Sequence, residues 1–452
     1  MSTSKPLRVL ALDHYFDQDL KALEAQSALS IRRLPVYRLR EPAIRMMGEE
    51  VGMGFESGLK LFTSEELRLA RETYARWLDK EMRGIYLEWP FDIVVLPSDI
   101  FFFVRALPTI AHALGLPVVV AQKETTVSPE TMEFEAPIVG RYAPFISDWM
   151  AVCSERQKEY WLRVGADPAA IDVTGQPRFD MYAHATPPDR KSVPTVLFFS
   201  YAVDAYVPEA DLGQAVWQEL RDETERVLVA LARASKVRII VKHHPQQERR
   251  GEVDRLRALA GKSWGQAFVV ADPEADTREL VLAADIIVGF QTTALYEAVA
   301  AQRPVVYAAW GKDWERHLDR LIPFHDAPPG CVHHAQGPDA LRTFLESNPA
   351  PPTPDSRVWC EEALGPIDGR ASSRVAKGLA RVASDWPQEA REGLGRHRRS
   401  YLVRMLAGAS AAEMFWLAAR VPALVLGRTG GVVLRQQRAA EFRKVAMRGL
   451  RD

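Results

Sequence analysis

"AADIIVGFQTTALYEAVAAQRPVV" (residues 283–306) holds a complete structural unit. "DIIVGF" is a short apolar run that stops at a glycine and an aromatic. "QTT" is polar, "ALYEAVAA" is rich in helix formers, and "RPVV" opens a second apolar run. Strand, turn, helix and strand in that order make a βαβ unit, which requires parallel strands.

The pattern continues on both sides. Toward the N-terminus lie "VLFFSY" (196–201), a helical stretch over 212–235, "VRIIVKHHP" (237–245) and "FVVAD" (268–272); "PVVYAA" (304–309) follows the unit. A polar, proline-rich segment at 184–195 reads as a linker. Before it the alternation appears again, in "LRVLALDHY" (7–15), "FDIVVLPSD" (91–99), "PVVVAQ" (117–122), "WMAVCS" (149–154) and "IDVTGQPRFD" (171–180). Residues 62–89 read as one helix capped by Thr63 or Ser64, and 101–115 as a helix disturbed by Pro108. The expected fold is α/β. Two tandem Rossmann-like domains, over 1–190 and 191–390, face a cleft, and a helical basic tail follows over 391–452.

Composition sets the limits. The 452 residues are 47% hydrophobic and 26% charged, as in a folded globular chain. A formal net charge of −1 gives no reason to expect a nucleic-acid partner. Cys153, Cys331 and Cys360 are far apart, so neither a disulfide framework nor a zinc site is expected. No apolar run is long enough to span a bilayer, and a cytoplasmic location is expected. The tail stands out, with 13 Lys+Arg against 4 Asp+Glu over 391–452, a net of +9. It is expected either to lie on an anionic membrane surface through Met405, Phe415, Trp416 and Leu417, or to pack across the two domains.

Ligands of open α/β sheets bind beyond the carboxyl ends of strands. That rule singles out Lys242, His243, His244 and Pro245, unless the two imidazoles are surface residues at a strand end. Inside a strand only one of them would face a given crevice. Gln291, Thr292 and Thr293 start a helix whose free N–H groups suit an anion. Glu297 lies on that helix, where it reads either as a ligand group or as an acid near the dipole. Arg178 and Asp180 read as a candidate ion pair. There is no GxGxxG, P-loop, GxSxG or HExxH, and no spacing that indicates a metal.

"VTGQPRFD", "VKHHP", "AADIIVGFQTTALYEAVAAQRPVV" and "DGRASSRVA", taken in order, resemble bacterial surface-polysaccharide transferases of the two-Rossmann GT-B fold. The likeness is to CDP-glycerol glycerophosphotransferases of teichoic-acid synthesis and to capsule glycosyltransferases with an HP and a later SS motif. Non-hydrolysing UDP-N-acetylglucosamine 2-epimerases share the architecture. The resemblance spans residues 170–380. It implies that His244-Pro245 supports the donor phosphate, that Thr292-Thr293 stands where paired serines bind phosphate, and that Glu297 binds ribose hydroxyls. Lys242, Gln291, Ser200 and Arg178 complete the donor-side set. Gln291 replaces an aromatic, and Gly289-Phe290 replaces a Thr-Asp pair, which leaves the donor's identity open.

The expected function is metal-independent transfer of a sugar or glycerol phosphate, without a cofactor. The donor is CDP-, CMP- or UDP-linked, and the acceptor is a surface glycan or a lipid-linked molecule. The alternative is a 2-epimerase-like isomerase, although no cluster of acids lies near His244 in sequence. A non-catalytic glycan-binding protein is a third reading. The general base is expected from the first domain, with Glu124 preferred over Asp13, His14 and Asp99.

Overall fold

Runs of β-branched and other apolar residues pair side by side in two separate sheets. The computed structural model describes residues 5–125, 128–189, 191–207, 214–244, 247 and 249–387. Pro245 and the basic tail lie outside them. The first sheet is built from β1 (Leu7–Asp13), β2 (Leu29–Pro35), β3 (Ile93–Leu96), β4 (Val118–Ala121), β5 (Trp149–Val152) and β6 (Ile171–Val173). Its order is β2-β1-β3-β4-β5-β6, and every pairing is parallel. The second contains β7 (Thr195–Phe199), β8 (Arg238–Lys242), β9 (Phe268–Val270), β10 (Ile286–Gly289), β11 (Val305–Ala308) and β12 (His333–Ala335). Its order is β12-β11-β10-β7-β8-β9, again wholly parallel. The expected pair of Rossmann-like domains is present. The strand order reverses between β1 and β3 in the first sheet and between β7 and β10 in the second, which fixes where each domain opens a crevice.

Every residue of β3, β4, β5, β10 and β11 is buried, because helices cover both faces of each sheet. The stretch at 62–89, read from the sequence as one helix, is divided in the structure. One helix, Phe55–Thr63, ends there, and a second runs over Arg68–Glu88. Thr63 does not cap a helix start. Its hydroxyl donates to the carbonyls of Leu59 and Lys60, closing the last turn of the first helix. Pro108 sits in the first turn of the helix Leu107–Ala113, where a missing N–H costs nothing.

The last described helix, Ala371–Asp385, returns to the first domain. Val375, Leu379 and Ala383 join a buried cluster with Val9, Ala11, Leu20 and Trp149. Asp180 sets the position of this helix, since its two carboxylate oxygens accept from the N–H groups of Ala371 (2.8 Å) and Ser372 (2.9 Å). The expected Arg178–Asp180 pair is therefore not formed. Asp180 instead satisfies the orphan donors of a helix far along the chain. Arg374 adds a bond from Nε to the Thr174 carbonyl (2.6 Å) and grips Asp368 (2.7 and 2.9 Å). "TGQPRFD" and "DGRASSR" thus meet as one bracket. Gly365 lies in it at φ +77, where a Cβ would stand 1.6 Å from the Cys153 carbonyl oxygen.

Gly378 allows the returning helix to approach the sheet, since a Cβ there would lie 2.2 Å from the Trp149 ring. Alanine in a helix interior ordinarily gains about 1 kcal/mol over glycine. Overpacking typically costs about 1–3 kcal/mol, and at this contact it should prevail. Gly378→Ala is expected to lower the thermal midpoint. In a Trp149→Leu background the same change should raise it.

Candidate functional site

The crevice at the switch point of the second sheet is a cleft of about 420 Å³. Ser200 follows β7, Lys242 ends β8, and Phe290 follows β10; together with His244 and Thr292 they form one wall. Tyr15, Gln18, Asp19 and Lys21 of the first domain face them. Gln18 spans the gap, its amide donating to Asp276 Oδ1 (3.1 Å).

His243 and His244 both line the cleft, against the expectation that they point to opposite faces. Alternation holds only within a strand, and β8 ends at Lys242. Lys242 Nζ donates to the carbonyls of Pro273 (2.8 Å) and Asp272 (3.3 Å), so it ties β8 to a loop that also lines the cleft. Burial lowers the His244 pKa, which favours a neutral imidazole. Gln247, buried and not foreseen, donates to Ser200 Oγ (3.1 Å) and accepts from the His244 N–H (3.4 Å). Its position directly after "KHHPQ" was the only sequence signal.

The segment after β10 divides. Thr292 lines the cleft, its hydroxyl oxygen accepting from the Ala294 N–H (3.3 Å). Thr293 stands at the cap position of the helix Ala294–Ala300 but makes no side-chain cap bond. Gln291 turns inward. It accepts from the Ile322 N–H (2.6 Å) and donates to the Tyr307 hydroxyl (2.7 Å), which braces a neighbouring loop. Glu297 is buried, and its carboxylate accepts from the Tyr182 hydroxyl (3.0 Å). Burial pushes the Glu297 carboxyl up, against the pull of Arg178. The structure thus gathers Ser200, Lys242, His244, Thr292 and Arg178 at the cleft, while Gln291 and Glu297 lie behind its wall.

Arg178 joins three segments of the first domain. Its N–H and Nη1 donate to the two oxygens of Asp19 (3.1 and 3.3 Å), and Nη1 also donates to the Lys123 carbonyl (3.1 Å). Asp19 is 1% exposed. Burial raises its pKa and Arg178 opposes that shift. Asp19 belongs to the first-domain helix Asp17–Glu24, so no local pattern linked it to Arg178.

The acceptor-side candidates separate clearly. Asp13 lies 3.4 Å from Arg33, which also binds Asp17 and Glu24. Asp99 is fully buried and accepts from the N–H groups of Ile146 (3.0 Å) and Ser147 (3.1 Å), which makes it a loop clasp. The Glu124 carboxylate is 66% exposed and paired with Lys123. Its backbone is held by Gln157, whose amide donates to the Glu124 carbonyl while its oxygen accepts from the Cys153 N–H (2.7 Å). His14 follows β1 and packs edge-on against Phe101 (4.9 Å) and Phe103 (5.7 Å). Burial and then Lys123 lower its pKa to about 4. Among the described residues, no group of three or more His, Cys, Asp and Glu side chains is arranged to hold a metal ion. No described helix is long and apolar enough to cross a membrane.

No family model matches the chain. No curated protein matches it in sequence. It is similar in structure to UDP-GlcNAc 2-epimerase from Neisseria meningitidis bound to UDP-GlcNAc, with 12% identity over 83% of this chain and 100% of that one at a TM-score of 0.46. UDP-GlcNAc 2-epimerase from Methanocaldococcus jannaschii, in complex with UDP-GlcNAc and UDP, shares 14% over 83% and 99% at 0.46. The Anabaena protein HepE, in complex with UDP and glucose, shares 12% over 84% and 100% at 0.41. At such identities, site residues do not transfer from one chain to another.

Removing Arg178 alone leaves a buried carboxylate without its cation, which costs about 3–5 kcal/mol in comparable pairs. Arg178→Met is expected to lower stability in chemical denaturation, and adding Asp19→Asn should restore much of it. Additive losses would show that the two side chains are not coupled.

His14 should make stability pH-dependent. Its folded pKa lies below the unfolded value of about 6.5, so the unfolded chain binds the proton more readily. Its contribution is full above pH 6.5 and falls as the pH drops toward about 4. His14→Gln should flatten denaturation midpoints over that window.

Proposed function

We propose that the chain transfers a sugar or glycerol phosphate from a nucleotide-activated donor to a glycan or lipid-linked acceptor. The observation that carries this reading is the cleft at the second sheet's switch point. It collects Ser200, Lys242, His244 and Thr292 on one side and residues of the other domain on the facing side. Departure of a nucleoside phosphate builds negative charge, and catalysis needs donors already aimed at it. Lys242 supplies charge, and a neutral His244 donates through one ring nitrogen. Ser200 and Thr292 add hydroxyls.

Three of the four carboxylates that line the cleft, all but Glu274, are already engaged, which favours side chains over a cation as the counter-charge. Asp17 binds Lys21 (2.8 Å) and Arg33 (2.5 Å), Asp19 binds Arg178 (3.3 Å), and Asp276 binds Arg278 (2.6 Å). The acceptor hydroxyl needs a proton acceptor from the first domain. Glu124 keeps that role, because its carboxylate is exposed at the carboxyl end of β4 while Arg33 holds Asp13.

Incubation with UDP- and CDP-linked donors and a purified acceptor tests the reaction. Released nucleotide with an extended acceptor is expected, with or without EDTA. His244→Ala should lower turnover about 10²–10³-fold, as for the loss of one preorganised donor. A changed sugar on an intact nucleotide would replace transfer with epimerisation.

A further inference from the structure

Backbone strain marks a second element of the same cleft. Five non-glycine residues among those described have positive φ: Tyr15, Tyr206, Ser235, Gln302 and Asn348. The last three come directly after helix ends, where a left-handed residue closes the turn. The other two are bulky tyrosines with no such excuse, and both line the cleft, one from each domain. A bulky residue at positive φ is costly, and such outliers persist where the surroundings enforce them.

The two rings differ. Tyr206 packs edge-on against Phe290 (6.2 Å) on the second domain's wall. Tyr15 has φ 51 and is 73% exposed, and among the described residues no large hydrophobic side chain is more so. His14 lies at 4.7 Å from its centroid and the Lys123 ammonium at 5.5 Å. Those neighbours fix the ring's direction without burying it. The strain therefore holds an aromatic surface open to the cleft, next to the acceptor-side residues His14, Lys123 and Glu124.

We propose that Tyr15 is a stacking platform for the carbohydrate ring carried by the donor. This rests on the transferase reading of the cleft. The nucleotide end of the donor belongs with Ser200, Lys242 and Thr292 on the second domain. The acceptor belongs with the first. The transferred group is the part of the donor that has to meet both. Tyr15 is a first-domain residue within the donor cleft, so its ring lies where that group passes. A sugar ring presents a face of axial C–H groups, which the electron-rich face of a tyrosine attracts.

Calorimetry on the full chain tests this with UDP, CDP, UDP-glucose, UDP-N-acetylglucosamine and CDP-glycerol as probes. Wild type is expected to bind one bare nucleotide and to bind its sugar-linked form more tightly. Tyr15→Asn removes the ring and tolerates the left-handed backbone. It should lose about fivefold to tenfold in affinity for the sugar-linked form and keep its affinity for the bare nucleotide. Tyr15→Phe should behave as wild type. The thermal midpoint of Tyr15→Asn should rise by about 1–3 °C as strain is relieved. Equal losses for the bare and sugar-linked nucleotide would overturn the platform and leave the transferase reading standing. So would a fall in midpoint, which would show that the ring only supports His14. Tighter binding of CDP-glycerol than of either sugar nucleotide would overturn it too, since glycerol offers no ring. Wild-type protein that binds no nucleotide at all would remove both proposals together.

Discussion

The buried pair of Arg178 and Asp19 is the contact on which the arrangement of the cleft depends. Arg178 stands in the segment that leaves the first sheet, just before the chain enters the second domain. Asp19 stands on the helix after β1, and Lys123 follows β4. One guanidinium therefore holds three chain segments from the carboxyl edge of the first sheet. Its neighbour Asp180 caps the returning helix. The two charged residues of "PRFD" face different ways: the Arg178 side chain binds within the first domain, and Asp180 reaches the returning helix. A buried ion pair is a poor source of net stability, because desolvation offsets most of the attraction. Its use here is geometric, since a backbone N–H and a side chain of the same residue bind one carboxylate. That fixes orientation as well as distance.

The fold was largely legible because period and length decide it. Runs such as "DIIVGF" and "PVVVAQ" are too short for buried helices and too apolar for loops, and their alternation with amphipathic stretches leaves few topologies. Helix boundaries were less legible. Thr63 and Ser64 have the chemistry of a cap at either end of a helix, and only the surrounding backbone decides which end they serve.

The site was legible where the signal is a strand end, and opaque where it is a tertiary contact. Ser200, Lys242, His244 and Thr292 all lie within a few residues of a carboxyl-terminal strand edge, so topology alone gathers them. Asp19 and Tyr182 give no local sign. Asp19 reads as an ordinary acid in a helix's first turn, and only folding brings Arg178 beside it. Tyr182 changes the reading of Glu297, which capping left unexplained. The acid's partner is a phenol from the end of the first domain's chain segment, at 3.0 Å. The expectation that His243 and His244 point to opposite faces failed for a different reason. The alternation rule was applied one residue past the point where the strand stops.

Much of the charge at the cleft is already paired. Lys21, Arg178 and Arg278 each hold a carboxylate, and Lys242 holds two backbone carbonyls. Lys242 ties the loop over 272–277 to β8, and Arg178 holds Asp19. That same loop carries Asp276, which Gln18 reaches from the other domain. The loop is therefore held from both sides of the cleft, by a lysine at the end of β8 and by an amide from the first domain.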